Sequence, residues 1–109
     1  MKLIIAIVQD EDASRLISNL MNDGYGVTKL ATTGGFLKSG NTTLLVGVED
    51  NRFEGCMAII EKVCKSRKQI ATSPVTMGGT AGMYAPYPIE VTVGGATVFV
   101  LDVEQFKRF

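Results

Sequence analysis

Apolar positions fall along this chain in three patterns. Leu3–Val8 is a continuous apolar run closed by polar residues, the signature of a central strand. Ala13, Leu16, Ile17, Leu20 and Met21 then recur at helical spacing, with Asp10 or Asp12 placed to cap the start and Gly24 just past the end. Val27–Thr33 is rich in β-branched residues and reads as a second strand, and Thr42–Val48 as a third. A second helix follows, with a buried stripe of Phe53, Cys56, Met57, Ile60, Val63 and Cys64. Asn51 with Glu54 has capping-box spacing at its start, and Gly55 inside it has no explanation but close packing.

After Arg67 the periodicity lapses. Turn formers punctuate the chain as far as Pro88, which reads as a long loop and, at that length, a functional one. Ile89–Val93 and Ala96–Leu101 flank Gly94-Gly95, a two-residue hairpin signal. The expected order is βαββαβ with the last strand extended as a hairpin. That is an α+β, ferredoxin-like sandwich in one domain, residues 1–109, with both helices on one face of an antiparallel sheet. Leu30, Leu45, Val98 and Val100 are then available to the other face. Covering that face with other subunits makes an oligomer the economical arrangement.

Composition narrows the chemistry. Lys+Arg and Asp+Glu are both 11, so net charge is zero, which argues against a long polynucleotide as partner. The apolar opening is short and runs at once into acidic residues, unlike a signal peptide, and no apolar run has membrane-spanning length. The chain reads as cytoplasmic, with no membrane insertion. The two cysteines, Cys56 and Cys64, lie ~12 Å apart along a helix, beyond disulfide reach, and read as core thiols. With no histidine, the commonest general base and metal ligand are missing, and neither a metal nor a catalytic site is expected.

The segment Lys29–Thr43 carries the candidate chemistry. Gly34-Gly35, and Gly78-Gly79 further on, can present consecutive backbone N–H groups to an anion, or can simply make turns. The sequence lacks the pattern of a P-loop or a dinucleotide fingerprint. Phe36 and Leu37, set between glycines in a polar loop, offer a surface for a base or a contact between subunits. The Asn41 carboxamide can meet an adenine edge with two hydrogen bonds. Thr28, Thr32 and Thr33 supply hydroxyls for phosphate or ribose. Together they point to a small nucleotide.

Four stretches, MKLIIAIVQD (Met1–Asp10), TKLATTGGFLKSGNTTLLVGVED (Thr28–Asp50), MGG (Met77–Gly79) and YPIEVTVGGATVFVLDVEQF (Tyr87–Phe106), resemble the PII-like cyclic di-AMP receptors of Gram-positive bacteria along nearly the whole chain. The resemblance implies a homotrimer that binds cyclic di-AMP in clefts between subunits. It implies no cofactor and no chemistry on the ligand, and signalling to an unknown downstream protein through loop conformation. It assigns Thr28 to phosphate contacts and Gly35, Phe36 and Leu37 to the loop enclosing a base. Asn41 would read adenine with help from the Gly47 backbone, and Phe99 would pack in the same cleft. Gly26 stands where the family usually has arginine and Arg108 where it has glutamine, so Arg108 is a further candidate for the phosphates. Two other readings are a PII-like sensor of ATP or ADP and a small ferredoxin-like enzyme.

Overall fold

A computed structural model describes residues 1–30, 40–76 and 84–109, with the side chains of 71–76 and 84–87 excepted. Its elements are β1 (Lys2–Gln9), α1 (Asp10–Asn22), β2 (Val27–Leu30), β3 (Asn41–Val48), a 3-10 turn (Asp50–Arg52), α2 (Phe53–Cys64), β4 (Arg67–Thr76), β5 (Tyr84–Val93) and β6 (Ala96–Asp102). Four strands form an antiparallel sheet in the order β2-β3-β1-β6, compatible with the ferredoxin-like arrangement. The part of the expected second strand beyond Leu30, and the loop up to Ser39, lie outside the described residues.

Strand alternation places the core. Ile4, Ala6 and Val8 of β1 and Leu44, Val46 and Val48 of β3 are buried beneath Ala13, Leu16 and Leu20 of α1 and Cys56, Ile60, Val63 and Cys64 of α2. Met21, expected in the α1 stripe, is instead 61% exposed at the helix end. The chain turns after α1 at Gly24, whose φ is +84°. Register also corrects the sheet faces. Val98 and Val100 pair with Ala6 and Ile4, which puts them on the helix side, and Val98 packs against the core. The open face carries Leu3, Ile5, Leu45, Phe99 and Leu101, with Leu30 beside Thr43 at the β2 edge.

The expected long loop and the Gly94-Gly95 hairpin are both replaced by a different arrangement. β4 and β5 pair with each other as a two-stranded ribbon from Arg67↔Val93 to Thr76↔Tyr84, and β6 pairs with β1. The three prolines fall in the alternate pairs Thr72↔Pro88 and Pro74↔Pro86. Alternate pairs of an antiparallel ladder share one hydrogen-bonding type, so proline can occupy the non-bonded set without removing a ladder donor. Gly94 and Gly95 therefore join two sheets. The Gly94 N–H donates to Gln9 Oε1 at 2.8 Å, and the Gly95 N–H donates to the Cys64 carbonyl. Gly94 has φ +80°, and a Cβ there would lie 2.5 Å from Arg67 Nη1 and 2.9 Å from the Lys65 carbonyl oxygen.

Neither expected helix cap forms. α1 begins at Asp10 with no side-chain cap, because Thr42 Oγ1 donates to Asp10 Oδ1 and Asp12 is drawn inward. Asp12 is 1% exposed and accepts from Arg67 Nη2 at 2.9 Å and Arg15 Nη2 at 3.3 Å. α2 follows a 3-10 turn and has Arg52 at its N-cap, so Asn51 and Glu54 form no capping box. Arg52 instead lies 4.1 Å from the Tyr25 ring centroid and donates to the Asp23 and Gly24 carbonyls, closing the end of α1.

Tyr25 also accounts for Gly55. The Tyr25 hydroxyl donates to the Arg52 carbonyl at 3.1 Å, and a Cβ at position 55 would lie 2.6 Å from that hydroxyl oxygen. Gly55→Ala is expected to destabilise by ~1–2 kcal/mol, since displacing Tyr25 outweighs alanine's better helix propensity. In a Tyr25→Phe background the same change should stabilise. Urea unfolding of the four proteins measures this coupling, and a Gly55→Ala cost that is the same in both backgrounds would refute it.

Cys56 and Cys64 are free and buried. Burial pushes both thiols up to about 11, and Asp12 adds to the effect at Cys64. A folded pKa above the unfolded value of ~8.5 means that the stabilisation is complete below that pH and is lost as pH rises towards the folded value. The urea midpoint should therefore hold up to about pH 8.5 and fall above it. At that pH, iodoacetamide should label the native protein far more slowly than the unfolded chain, as mass spectrometry would read.

Candidate functional site

The open sheet face and the C-terminal segment enclose a cavity of about 800 Å³. β1 supplies Leu3, β2 supplies Val27 and Thr28 with Gly26 just before it, and β3 supplies Leu45 and Gly47; Val103, Phe106 and Arg108 line it from the tail. The tail is seated there by the Val103 N–H, which donates to the Met1 carbonyl at 3.2 Å, and by the Lys2–Asp102 ion pair beside it. Each of Lys2 and Asp102 favours the other's charged form, raising the lysine pKa and lowering the carboxylate's.

Apolar walls with few polar groups suit a small ligand. Among the described residues the lining side chains include one cation, Arg108, and no carboxylate, and the Thr28 hydroxyl stands on the same wall. The Met1 ammonium, at the rim, is 3.0 Å from Asp50 Oδ1. An anionic ligand meets positive charge here without repulsion.

Gly26 and Gly47 distinguish this cavity from ordinary packing. Neither has a positive φ, and a Cβ on either would meet nothing within 4 Å. The described part of the subunit therefore does not demand glycine at these positions. Glycine inside a strand weakens it and often marks the close approach of a ligand or another backbone.

The other expected site residues divide. Asn41 begins β3, whereas Gly47 is near its end, so the two lie ~20 Å apart along the strand and cannot serve one adenine within a subunit. Asn41 lines a separate hollow of about 320 Å³ with Ile7, Gln9, Gly94, Gly95, Ala96 and Thr97. Phe99 is 53% exposed on the open face opposite Ile5 and lines neither space. Gly35, Phe36 and Leu37 lie outside the described residues. Sequence reasoning missed Leu3, Leu45, Val103 and Phe106. The two aromatics and two cations clustered at the chain's end were the available signal for the tail.

No group of three or more potential metal ligands gathers among the described residues, and no helix among them is long and apolar enough to cross a membrane.

An antiparallel sheet with helices on one face and a lined cavity on the other is an arrangement that can hold a small ligand. The chain belongs to the cyclic-di-AMP receptor family, whose sequence model matches residues 1–109, the whole chain. It is a receptor family, not an enzyme family. A crystal structure of a functionally unknown protein from Pediococcus pentosaceus ATCC 25745 is also similar. It has 46% sequence identity and a TM-score of 0.78, over 99% of this chain and 96% of that one.

Gly47→Val should leave stability unchanged or raise it by up to ~1 kcal/mol, because valine suits a strand and meets open space. It should weaken cyclic di-AMP binding by ~1–3 kcal/mol by crowding the cavity. Thermal melting and calorimetry on the same variant separate the two effects, and a lowered melting point would mean that the glycine serves packing.

Proposed function

We propose that this protein is a cyclic di-AMP receptor that acts as a homotrimer, with the dinucleotide held in clefts between adjacent subunits. Family membership supports the receptor role. The observation that favours a shared cleft is the separation of Asn41 from Thr28, Gly47 and Arg108 at the two ends of one strand. One subunit cannot bring both groups to a compact ligand. Two neighbours can, if the Asn41 end of one meets the cavity of the next.

Cyclic di-AMP has the matching chemistry. Its two phosphates suit Thr28 and Arg108, with the apolar cavity wall for a base, and its adenine edge suits a carboxamide such as Asn41. Phe99 and the apolar open face supply the surface on which subunits meet. Gly35, Phe36 and Leu37 of the loop after β2, outside the described residues, are assigned to base contact by the family resemblance alone.

Ligand binding reaches a partner through the ribbon as well as through that loop. The Asn41 hollow includes Gln9, Gly94 and Gly95, and the Gln9 side chain holds the Gly94 N–H at the ribbon's root. A base seated against Asn41 therefore bears on the bond that fixes where the ribbon begins. A ligand that favours one arrangement of that root changes the surface offered to a downstream protein without being altered itself.

Calorimetry with cyclic di-AMP, ATP and ADP, combined with light scattering, tests this reading. The expected result is a trimer mass with preference for the dinucleotide. Asn41→Ala should weaken binding by ~1–3 kcal/mol while the trimer persists. Preference for ATP or ADP would make the protein a mononucleotide sensor, and a monomer mass would remove the shared cleft.

A further inference from the structure

On the helix side of the molecule lies a second feature, unrelated to the sheet cavity. α1, the end of α2 and the link into β4 surround a groove of about 570 Å³ lined by Arg15, Asn19, Lys62, Val63, Lys65, Ser66 and Arg67. Four of the seven are cations and, among the described residues, none is acidic, in a chain whose net charge is zero. The carboxylate within bonding distance of the two arginines is that of buried Asp12, which offsets one of the four charges.

Both guanidiniums are held in place. Arg15 Nη2 donates to Asp12 Oδ1 at 3.3 Å and to the Val63 carbonyl at 3.0 Å. Arg67 donates through Nη2 to Asp12 at 2.9 Å and through Nη1 to the Lys65 carbonyl at 3.2 Å. Yet the Arg15 and Arg67 side chains remain 58% and 41% exposed. A guanidinium has five N–H donors, so each retains donors beyond those bonds for a second carboxylate. Fixing the side chains in advance reduces the ordering cost of binding.

We propose that this groove is the docking site for an acidic segment of a partner protein. The cations are distributed over α1, α2 and the following link, so a single small anion can meet only part of the set, whereas successive carboxylates on a peptide can meet all of it. Among the described residues no aromatic side chain lines the groove, which disfavours a nucleotide base. Arg67 is also the first residue of the ribbon, so a segment seated here touches the element that begins beside the Asn41 hollow. The assignment rests on the groove itself and not on the ligand assigned to the sheet cavity.

The test uses fluorescence anisotropy with labelled decaglutamate as the probe, at low and high ionic strength. The double variant Lys62→Glu/Lys65→Glu should bind it at least about tenfold more weakly than the parent. The milder Lys62→Gln/Lys65→Gln should fall between, and both should bind cyclic di-AMP as the parent does. Lys29→Glu/Lys68→Glu, with the same charge change outside the groove, should bind decaglutamate nearly as the parent does. Equal losses in the two Glu double variants, or none in either, would overturn the proposal. So would displacement of the peptide by inorganic phosphate at equal concentration, which would make this a small-anion site. Failure of the parent protein to bind cyclic di-AMP, with decaglutamate bound and lost in the variants as stated, would count against the sheet cavity alone.

Discussion

The buried carboxylate of Asp12 is the point on which the parts of this molecule are joined. An unpaired charge at that depth would be costly, and pairing with Arg67 and Arg15 offsets the cost only if both guanidiniums stay in place. Arg15 belongs to the same helix, so that pair is local. Arg67 is distant in sequence and opens β4, so its pairing fixes where the chain leaves α2 and how the ribbon starts. Gly94 sits so close to Arg67 that no side chain fits there, and its N–H is taken by Gln9 of β1. One ionic contact thus ties the first helix, the end of the second and both strands of the ribbon to the central sheet.

That anchoring leaves the two faces of the sheet with different roles. The helix face is filled by aliphatic side chains and two thiols, a closed core. The other face is apolar at Phe99 and Leu101 but remains substantially exposed, and it opens into a cavity towards the β2 edge. An apolar face of this kind is expected where copies of a chain meet. The tail lines the cavity and places Arg108 on the same wall as Gly26.

The glycines separate along the same line. Gly55 and Gly94 are required by what surrounds them, a tyrosine hydroxyl in one case and an arginine with two carbonyls in the other. Gly26 and Gly47 are required by nothing among the described residues and border the cavity. A residue type that looks uniform in the sequence therefore marks internal packing at some positions and borders open space at others.

Sequence alone determined the elements built on strong local periodicity. β1, α1, β3 and α2 follow from apolar spacing, the thiols from their helical positions, and the family from motifs spread along the chain. It also identified the C-terminal residues as unusual without saying where they go. The tertiary structure decided what depends on distant partners. The prolines suggested a loop because local rules cannot show that they fall in alternate pairs of a ribbon, a placement an antiparallel ladder can accept. Gly94-Gly95 has the chemistry of a hairpin turn, but the free edge of β1 competes for β6, and only the assembled sheet resolves that competition. The acidic residues at the start of α1 suit a cap equally well, until Arg67 arrives from beyond the second helix and draws Asp12 into the interior. Pairing register likewise put Val98 and Val100 on the helix side and separated Asn41 from Gly47, because a strand's face and span are set by its neighbours and not by the residues it contains.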